Sequence, residues 1–144
     1  MFKHVLIPTD GSRLSMKAVK AGIAFAKELG AKTTAYHALE VPAYAAGGLI
    51  SPSTLQQFDA GARKQTQKYL DKATGLARAA GVPCGELITR PETVYEGIID
   101  AARKRNCDVI FMASHGRSEI ASLVVGSVTL KVLAHSKIPV LIFR

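Results

Sequence analysis

Short apolar segments alternate with longer segments of helical periodicity along the whole chain, and this alternation limits the folds open to it. The apolar segments occupy residues 3–8, 32–39, 84–89, 108–113 and 138–143. Between them apolar side chains recur at helical spacing, and Gly30 and Gly81 follow the first two helical segments as expected stops. Strands that alternate with helices predict a parallel sheet with helices on both faces. The sequence therefore predicts a doubly wound α/β fold, with residues 1–144 forming a single domain.

The composition agrees with a folded protein and excludes several classes. Of the 144 residues, 48% are hydrophobic and 21% are charged, so a buried core is expected and disorder is not. No apolar run approaches the ~20 residues that span a bilayer, and the first residues lack the long apolar core of a signal peptide. Cys84 and Cys107 form no CxxC pair and have no histidine nearby at metal-ligand spacing. We therefore expect a cytoplasmic protein, without membrane contact, whose thiols are reduced and mostly buried.

The chain is basic, with a formal net charge of +8 from 19 basic and 11 acidic residues. Such a balance favours anionic partners in general. The basic residues are dispersed along the sequence, however, and the densest segments, 63–68 and 104–106, contain no interleaved aromatic residues. This distribution disfavours a nucleic-acid partner. We consider three functions for this chain in all, and nucleic-acid binding is the third of them. A steep salt dependence of oligonucleotide binding would support it.

Two loops follow apolar strands at the edge of the sheet where ligands bind in such folds, beyond the carboxyl ends of the strands. The first is PTDGS at 8–12, in which Asp10 is suited to a ribose or a magnesium ion. Equally, Asp10 or Ser12 would serve as the N-cap of the first helix. On the residues alone, the second interpretation is the better one.

The second loop, ASHGRSEIASLVVGS at 113–127, has the chemistry of a phosphate site. Gly116 lets a ligand approach the backbone, and Gly126 and Ser127 lie where the fourth helix should begin. A helix N-terminus offers free N–H groups and the positive end of a dipole. Ser127 adds a hydroxyl and Arg117 adds charge. The alternative is that Gly116 makes a turn and Ser127 caps the helix, and spacing alone does not separate the two.

The stretches KHVLIPTDGS, ASHGRS, VVGSVTLKVLAHS and IPVLIFR resemble the universal stress protein family, of the A-like, single-domain, nucleotide-binding type. The resemblance covers the full chain, and the order of elements matches too. Nucleotide-binding members have the pattern G-x2-G-x9-G-[ST]. This sequence matches it at Gly116, Gly126 and Ser127 and departs from it at Ala113.

The resemblance implies a strand order of 3-2-1-4-5 and an adenine-nucleotide site between strands 1 and 4, with ATP or AMP as the ligand. It places Asp10 at the ribose or at a magnesium ion and the backbone of Ala38 at the adenine. It assigns Pro8, Thr9 and Asp10 to the adenosine pocket and Met112 and Ala113 to the floor under the nucleotide. It places Gly116, Arg117, Gly126, Ser127 and Val128 around the phosphates.

The residues carry no P-loop and no kinase signature, and no lysine follows the glycines. His115 lies in the second loop without a visible partner carboxylate, so we interpret it as a residue that shapes the turn. The expected activity is therefore at most slow hydrolysis of bound ATP, and the expected function is a nucleotide-responsive binding module in the stress response. The alternative is an interaction protein with a vestigial, non-binding site.

The last strand, 138–143, is strongly apolar and would lie at an edge of the sheet. An exposed apolar edge is an aggregation hazard unless another chain covers it, and both this argument and the resemblance predict a homodimer through this strand. Residues 41–61 contain Pro42, Gly47, Gly48 and Pro52 and predict a long loop. Whether this loop is a lid over the adenine or an oligomer contact stays open. The long helix after it is expected to carry Leu55, Phe58, Ala62, Tyr69, Ala73, Leu76 and Ala80 on one face.

Overall fold

In the computed structural model, residues 1–43, 45, 47–116 and 124–144 are described. Five parallel strands form one sheet in the order β3-β2-β1-β4-β5, so the predicted fold class and strand order are confirmed. The strands are β1 (His4–Pro8), β2 (Lys32–Ala38), β3 (Cys84–Thr89), β4 (Val109–Ala113) and β5 (Val140–Phe143). The helices are α1 (Arg13–Leu29), α2 (Pro52–Ala80), α3 (Val94–Lys104) and α4 (Ser127–His135).

The alternation of side chains along the strands divides the core into two halves. On β1, Val5 and Ile7 face the layer of α1 and α2, whereas Leu6 between them faces the layer of α3 and α4. All three are at most 1% exposed. Helices cover both faces of the central strands, which is why those strands read as continuous apolar runs rather than as alternating ones.

Both ends of α1 follow from local chemistry. The Ser12 hydroxyl accepts a hydrogen bond from the Ser15 N–H at 3.2 Å and caps α1. Gly30, at φ 62°, ends that helix in the left-handed conformation that glycine adopts without strain. Of the two capping candidates in the first loop, Ser12 is therefore the one that the fold uses.

The predicted loop at 41–61 is wrong in its second half, because α2 already begins at Pro52. Ser51 caps the helix, its hydroxyl accepting from the Thr54 N–H at 3.3 Å, and Pro52 occupies the first turn, where it loses no hydrogen bond. We interpreted Pro52 as a helix breaker when it is a helix start. Tyr44, one of the apolar residues of this loop, lies outside the described residues.

The buried face of α2 is shorter than predicted. It begins at Thr66 and continues through Leu70, Ala73 and Ala77, while Leu55 and Phe58 are 37% and 52% exposed. No residue of α2 before Thr66 is buried, so the first turns of this helix do not contribute to the core. An ion pair between Asp59 and Arg90 connects this part of the helix to the segment after β3.

The two cysteines are free thiols, as expected, but only one is buried. Burial raises the pKa of the Cys107 thiol to about 11, with the Asp108 carboxylate acting in the same direction, so this thiol stays protonated and unreactive at neutral pH. Cys84 is partly exposed at the start of β3. In the described part of the chain, no helix is both long enough and apolar enough to cross a membrane.

A buried polar cluster closes the opposite end of the sheet from the loops of interest. His4 is 7% exposed, and its Nε2 lies 2.8 Å from the Thr34 hydroxyl. The Asp108 carboxylate accepts from the backbone N–H groups of Lys3 and His4 at 2.8 and 3.1 Å. Burial lowers the pKa of His4 below its ordinary value of 6.5, and the Lys32 charge lowers it further.

This cluster predicts a loss of stability in mild acid. Because the pKa of His4 is lower in the folded protein than in the unfolded chain, the unfolded chain binds the proton first. The stability contributed by the neutral ring is complete above about pH 6.5 and is lost as the pH falls, at up to ~1.4 kcal/mol per pH unit. Urea unfolding of the wild type and of His4→Gln between pH 7.5 and 5.5 should show a steeper decline for the wild type. Equal slopes would contradict this assignment.

Candidate functional site

A cavity of about 570 Å³ opens at the carboxyl ends of β1, β2 and β4. The strand order reverses at β1, because β2 lies on one side of it and β4 on the other. The segments that leave β1 and β4 therefore diverge and leave a cleft between them, which is where ligands bind in open parallel sheets. The volume lies in the range of small-molecule sites.

The loop after β1 is held by its own side chains. Thr9 is buried, and its hydroxyl accepts hydrogen bonds from the Ser15 hydroxyl at 2.6 Å and from the Gly11 N–H at 3.2 Å. One carboxylate oxygen of Asp10, Oδ1, accepts from the Ser12 N–H at 2.9 Å. The Asp10 carboxylate is therefore held in place at the cavity wall rather than free to rotate into solvent.

The second oxygen of Asp10 meets the loop after β4. A Cβ atom placed on Gly116 would collide with Asp10 Oδ2, so a side chain at this position would force the carboxylate to shift. The two segments that the sequence singled out separately thus meet at the switch point. The Asp10 carboxylate therefore lies directly beside the backbone of the other loop.

The start of α4 forms the third part of the cavity. Its N-cap is Gly126, and no described side chain caps it, so the interpretation of Ser127 as a capping residue is wrong. Ser127 instead occupies the first helical position, and with Val128 and Thr129 it contributes backbone N–H groups of the first turn, which have no partners within the helix.

Two hydrogen bonds fix the start of α4 against the end of β4. The Gly126 N–H donates to the Ser114 carbonyl at 2.7 Å, and the Thr129 hydroxyl donates to the Ala113 carbonyl at 3.1 Å. A Cβ on Gly126 would lie 3.1 Å from His115 Cα, closer than side chains normally approach. The helix N-terminus is therefore pinned at the cavity, with its dipole directed into it.

His37, which we did not predict as a site residue, lines the cavity at the end of β2. Its Nδ1 lies 2.7 Å from the Thr9 carbonyl. Because a carbonyl oxygen can only accept, Nδ1 carries the proton, and Nε2 of the neutral ring is an acceptor. The Tyr69 ring packs beside it with the ring centroids 6.1 Å apart. This histidine links β2 to the loop after β1.

Helix α2 supplies a wall that sequence analysis missed. Its lining residues are Ala62, Gln65, Thr66 and Tyr69. Tyr69 also lies so close to Gly11, at φ 77°, that any Cβ there would collide with its ring. The sequence gives one signal for this wall: apolar residues at helical spacing begin at Leu55, well before the buried part of α2 begins at Thr66. That part of the apolar face is therefore available to line something other than the core.

The predicted site residues that the structure describes all lie on this one cavity: Pro8, Thr9, Asp10, Ala38, Met112, Ala113, Gly116, Gly126, Ser127 and Val128. Arg117 lies outside the described residues. That these residues bind a nucleotide stays a prediction at this point. Besides His37 and the wall of α2, the lining residues that we did not predict include Leu39, Glu40, Val94, Ile98, His115 and Thr129.

The cavity combines four features: a fixed carboxylate, a glycine that admits close approach, a helix N-terminus, and apolar walls at Met112, Val94 and Ile98. The helix N-terminus suits an anion such as a phosphate. The apolar walls suit a flat, weakly polar group. Such a site can hold a molecule with an anionic end and an aromatic end, with a hydroxyl-bearing part near Asp10.

Curated relatives match the chain over its whole length. A universal stress protein of Thermus aquaticus, encoded in the 3′ region of the QAH/OAS sulfhydrylase, is 32% identical over 145 residues, with 100% of both chains covered. The universal stress protein YxiE of Bacillus subtilis is 30% identical over 149 residues, again with 100% of both chains covered.

Solved structures share the fold. The hypothetical protein MJ0577 superposes with a TM-score of 0.84 at 22% identity, covering 99% of this chain and 95% of that one. A universal stress protein in complex with cAMP reaches 0.74 at 23% identity, with 99% and 97% covered. A universal stress protein from Archaeoglobus fulgidus in complex with dAMP reaches 0.68 at 16% identity, with 100% and 98% covered.

The model of the universal stress protein family matches residues 1–144. This match, the relatives at 30% identity and above, and the shared fold lead to one conclusion: the chain belongs to the universal stress protein family.

Proposed function

We propose that residues 1–144 act as one domain that binds an adenine nucleotide in the cavity at the β1–β4 switch point and that works as a nucleotide-responsive binding module. The observation that carries this proposal is the meeting of Asp10, Gly116 and the start of α4 around one cavity. A carboxylate suits ribose hydroxyls, and a helix N-terminus suits phosphates. The cAMP and dAMP complexes of two proteins with this fold add support.

The proposed orientation follows from the chemistry of the walls. The phosphates lie at Gly116, Gly126, Ser127 and Val128, with Arg117 as an added charge, because the first turn of α4 lines the cavity there and has N–H groups without partners in the helix. The ribose lies at Asp10 and Thr9. The adenine lies between the end of β2 at Ala38 and the apolar side chains of Met112, Val94 and Ile98.

Asp10 also suits a magnesium ion that accompanies a nucleotide. Among the described residues no group of three or more histidine, cysteine, aspartate and glutamate side chains could hold a metal by itself. Magnesium bound through one carboxylate together with nucleotide phosphates fits this donor set. When bound, the ion would neutralise phosphate charge, and Asp10, held by the Ser12 N–H, would orient it.

Ala113, where the chain departs from the family pattern, adopts its backbone conformation without strain. Ala113 is the last residue of β4 and pairs with Phe143, and in the described part of the chain Asn106 is the only residue other than glycine with positive φ. An alanine in extended backbone costs nothing, and its carbonyl still accepts from Thr129. We propose that this alanine is compatible with nucleotide binding.

We propose slow turnover at most, since the sequence has none of the lysine-bearing phosphate loops of ATP-hydrolysing folds. A role in the stress response, a cytoplasmic location and ATP or AMP as the working ligand are likewise predictions of the sequence and the resemblance.

We also propose a homodimer through residues 138–143. At either end of β5, the carbonyl groups of Pro139 and Phe143 accept from the N–H groups of Ile110 in β4 and of Ser114 just after it, at 2.9 and 2.8 Å. Since both backbone groups of a residue in a parallel strand point to the same side, Val140 and Ile142 direct theirs away from the sheet. Next to this edge, α4 presents Leu130 and Leu133 at 51% and 44% exposure. A second copy would satisfy the open edge and cover apolar side chains.

The nucleotide site predicts that Gly116→Val abolishes binding, because the added side chain collides with Asp10 and fills the approach to the phosphates. Isothermal titration with ATP and with AMP, with and without magnesium, should show affinity lost by about a hundredfold or more, roughly 3 kcal/mol. Ser127→Ala, which leaves the backbone unchanged, should weaken binding about fivefold, roughly 1 kcal/mol.

The matched control is Gly75→Ala on α2, where a Cβ meets nothing within 4 Å. It should bind as the wild type does and gain about 0.5–1 kcal/mol in stability. Retained binding in Gly116→Val would overturn the phosphate assignment. A wild type that releases no nucleotide on denaturation and binds none on titration would favour the alternative, an interaction protein with a vestigial site.

The backbone at Ala113 predicts the sign of a stability change. Because Ala113 is unstrained and sits in a buried strand, Ala113→Gly should lower the free energy of unfolding by about 0.5–1 kcal/mol through added flexibility of the unfolded chain. Urea unfolding measures this difference. A more stable glycine variant would mean that the alanine is strained after all.

The dimer predicts that Ile142→Pro yields a monomer, because proline removes an outward N–H while leaving the bonds to β4 in place. Ile142→Val keeps that donor and should remain dimeric. Light scattering after size exclusion separates the two states. A dimeric proline variant, or a monomeric wild type, would rule out this interface.

A further inference from the structure

The outward faces of α1 and α2 carry most of the excess positive charge of the protein. On α1, cations recur at helical spacing along one side, and α2 repeats the arrangement. The residues of this α1–α2 basic face are Arg13, Lys17, Lys20 and Lys27 on α1 and Lys64, Lys68, Lys72 and Arg78 on α2, all of them exposed. The cations of α1 follow one another at steps of four, three and seven residues, and those of α2 at steps of four up to Lys72, while Arg78 lies two heptads after Lys64; each group therefore occupies one side of its helix.

The packing of the core fixes the direction in which these stripes point. On α1 the opposite side buries Val19, Ile23 and Ala26, and on α2 it buries Leu70 and Ala73 in the same core cluster. Both helices cover the same face of the sheet, so both stripes point away from it into solvent. Two packed helices lie about 8–10 Å apart, and the α1 stripe extends over ~20 Å.

The charge on this face is only partly offset by neighbours. In the part of the chain that the structure describes, the basic partners in ion pairs are Arg63, Arg90 and Arg103, none of which belongs to the face. Two carboxylates flank the stripes, Glu28 and Asp71, and Asp71 accepts from the Gln67 amide at 2.8 Å.

The other helical layer is close to neutral. On α3 the exposed acids Glu96 and Asp100 face Arg103 and Lys104, and Arg103 lies 3.7 Å from Asp100. On α4 the exposed side chains include Leu130 and Leu133 rather than further cations, apart from Lys131. The net charge of +8 is therefore concentrated on one side of the molecule.

We propose that the α1–α2 basic face binds the phosphate backbone of duplex nucleic acid without reading its sequence. Two parallel stripes of long, flexible cations suit a regular array of phosphates. The face carries no aromatic side chain for stacking on unpaired bases, which disfavours single strands.

An anionic lipid surface would also present phosphates, but it fits this face less well than duplex nucleic acid does. Stable association with a membrane takes apolar insertion or a lipid anchor in addition to charge. Between the cations the outward positions carry small residues such as Ala24 on α1 and Gly75 on α2, together with the Asp71 carboxylate, and no large apolar side chain. The exposed Leu55 and Phe58 lie on the side of α2 that faces the cavity, away from the basic stripe.

Along the sequence these cations are spread from residue 13 to residue 78, which is why the sequence disfavoured a nucleic-acid partner. Folding collects them on one face. None of them lines the cavity, so this proposal stands or falls separately from nucleotide binding.

The test is fluorescence anisotropy of a labelled 24-base-pair duplex titrated with the full chain at several NaCl concentrations between 50 and 200 mM. We expect weak binding with a steep dependence on salt. The triple variant Lys17→Gln, Lys20→Gln, Lys68→Gln should bind about tenfold or more weakly at 50 mM. Its log–log salt slope should be shallower by roughly 2–3, since each phosphate contact contributes about 0.9.

The matched control removes the same charge from the other layer, as Arg103→Gln, Lys104→Gln, Lys131→Gln, and should bind within about twofold of the wild type. Equal weakening in both triples would overturn the proposal, since net charge alone would then explain the binding. Absence of duplex binding at 50 mM NaCl would also overturn it. Binding to phosphatidylserine-containing vesicles that the first triple abolishes, with no duplex binding, would assign the face to lipid instead.

Discussion

Burial of the parallel sheet on both faces is the constraint on which the other features depend. Strands β1 and β4 are apolar at nearly every position, and each side chain has a helix above or below it. Parallel strands need long crossovers, and these are right-handed, so the chain has few ways to cover both faces. One of them is to add β2 and β3 on one side of β1 and then β4 and β5 on its other side. The carboxyl ends of the strands then meet at one edge, and the order reverses between β1 and β4.

That reversal turns two ordinary loops into one site. Asp10 and Gly116 are more than a hundred residues apart in sequence, yet the absence of a side chain at Gly116 leaves room for the Asp10 carboxylate. The hydrogen bonds from Gly126 and Thr129 to the end of β4 hold the start of α4 at the same point. The glycine pattern of the family is thus a packing requirement at Gly116 and Gly126. At Ala113, where the strand is extended, a glycine is not required.

The two helical layers have different surface chemistry although they bury similar cores. The layer of α3 and α4 mixes acids, bases and exposed leucines and adjoins the open edge at β5. The outward side of the α1 and α2 layer is predominantly basic. A proposed dimer contact and a proposed polyanion contact therefore occupy different sides of the molecule, and no residue of either lines the cavity.

The sequence by itself determined the fold class, the position of the strands and the two loops that carry chemistry, because these depend on local periodicity and on where apolar runs end. The same local signals gave wrong predictions at residues that can play either of two structural roles. Pro52 was interpreted as a breaker, although proline also begins helices, and Ser127 was a candidate cap, although Gly126 holds that position. Only the tertiary structure decided that His37 and the wall of α2 line the cavity, that the first turns of α2 stay exposed, and that distant cations share one face. These features depend on which elements become neighbours after the strands are ordered, and spacing along the chain carries no record of that order.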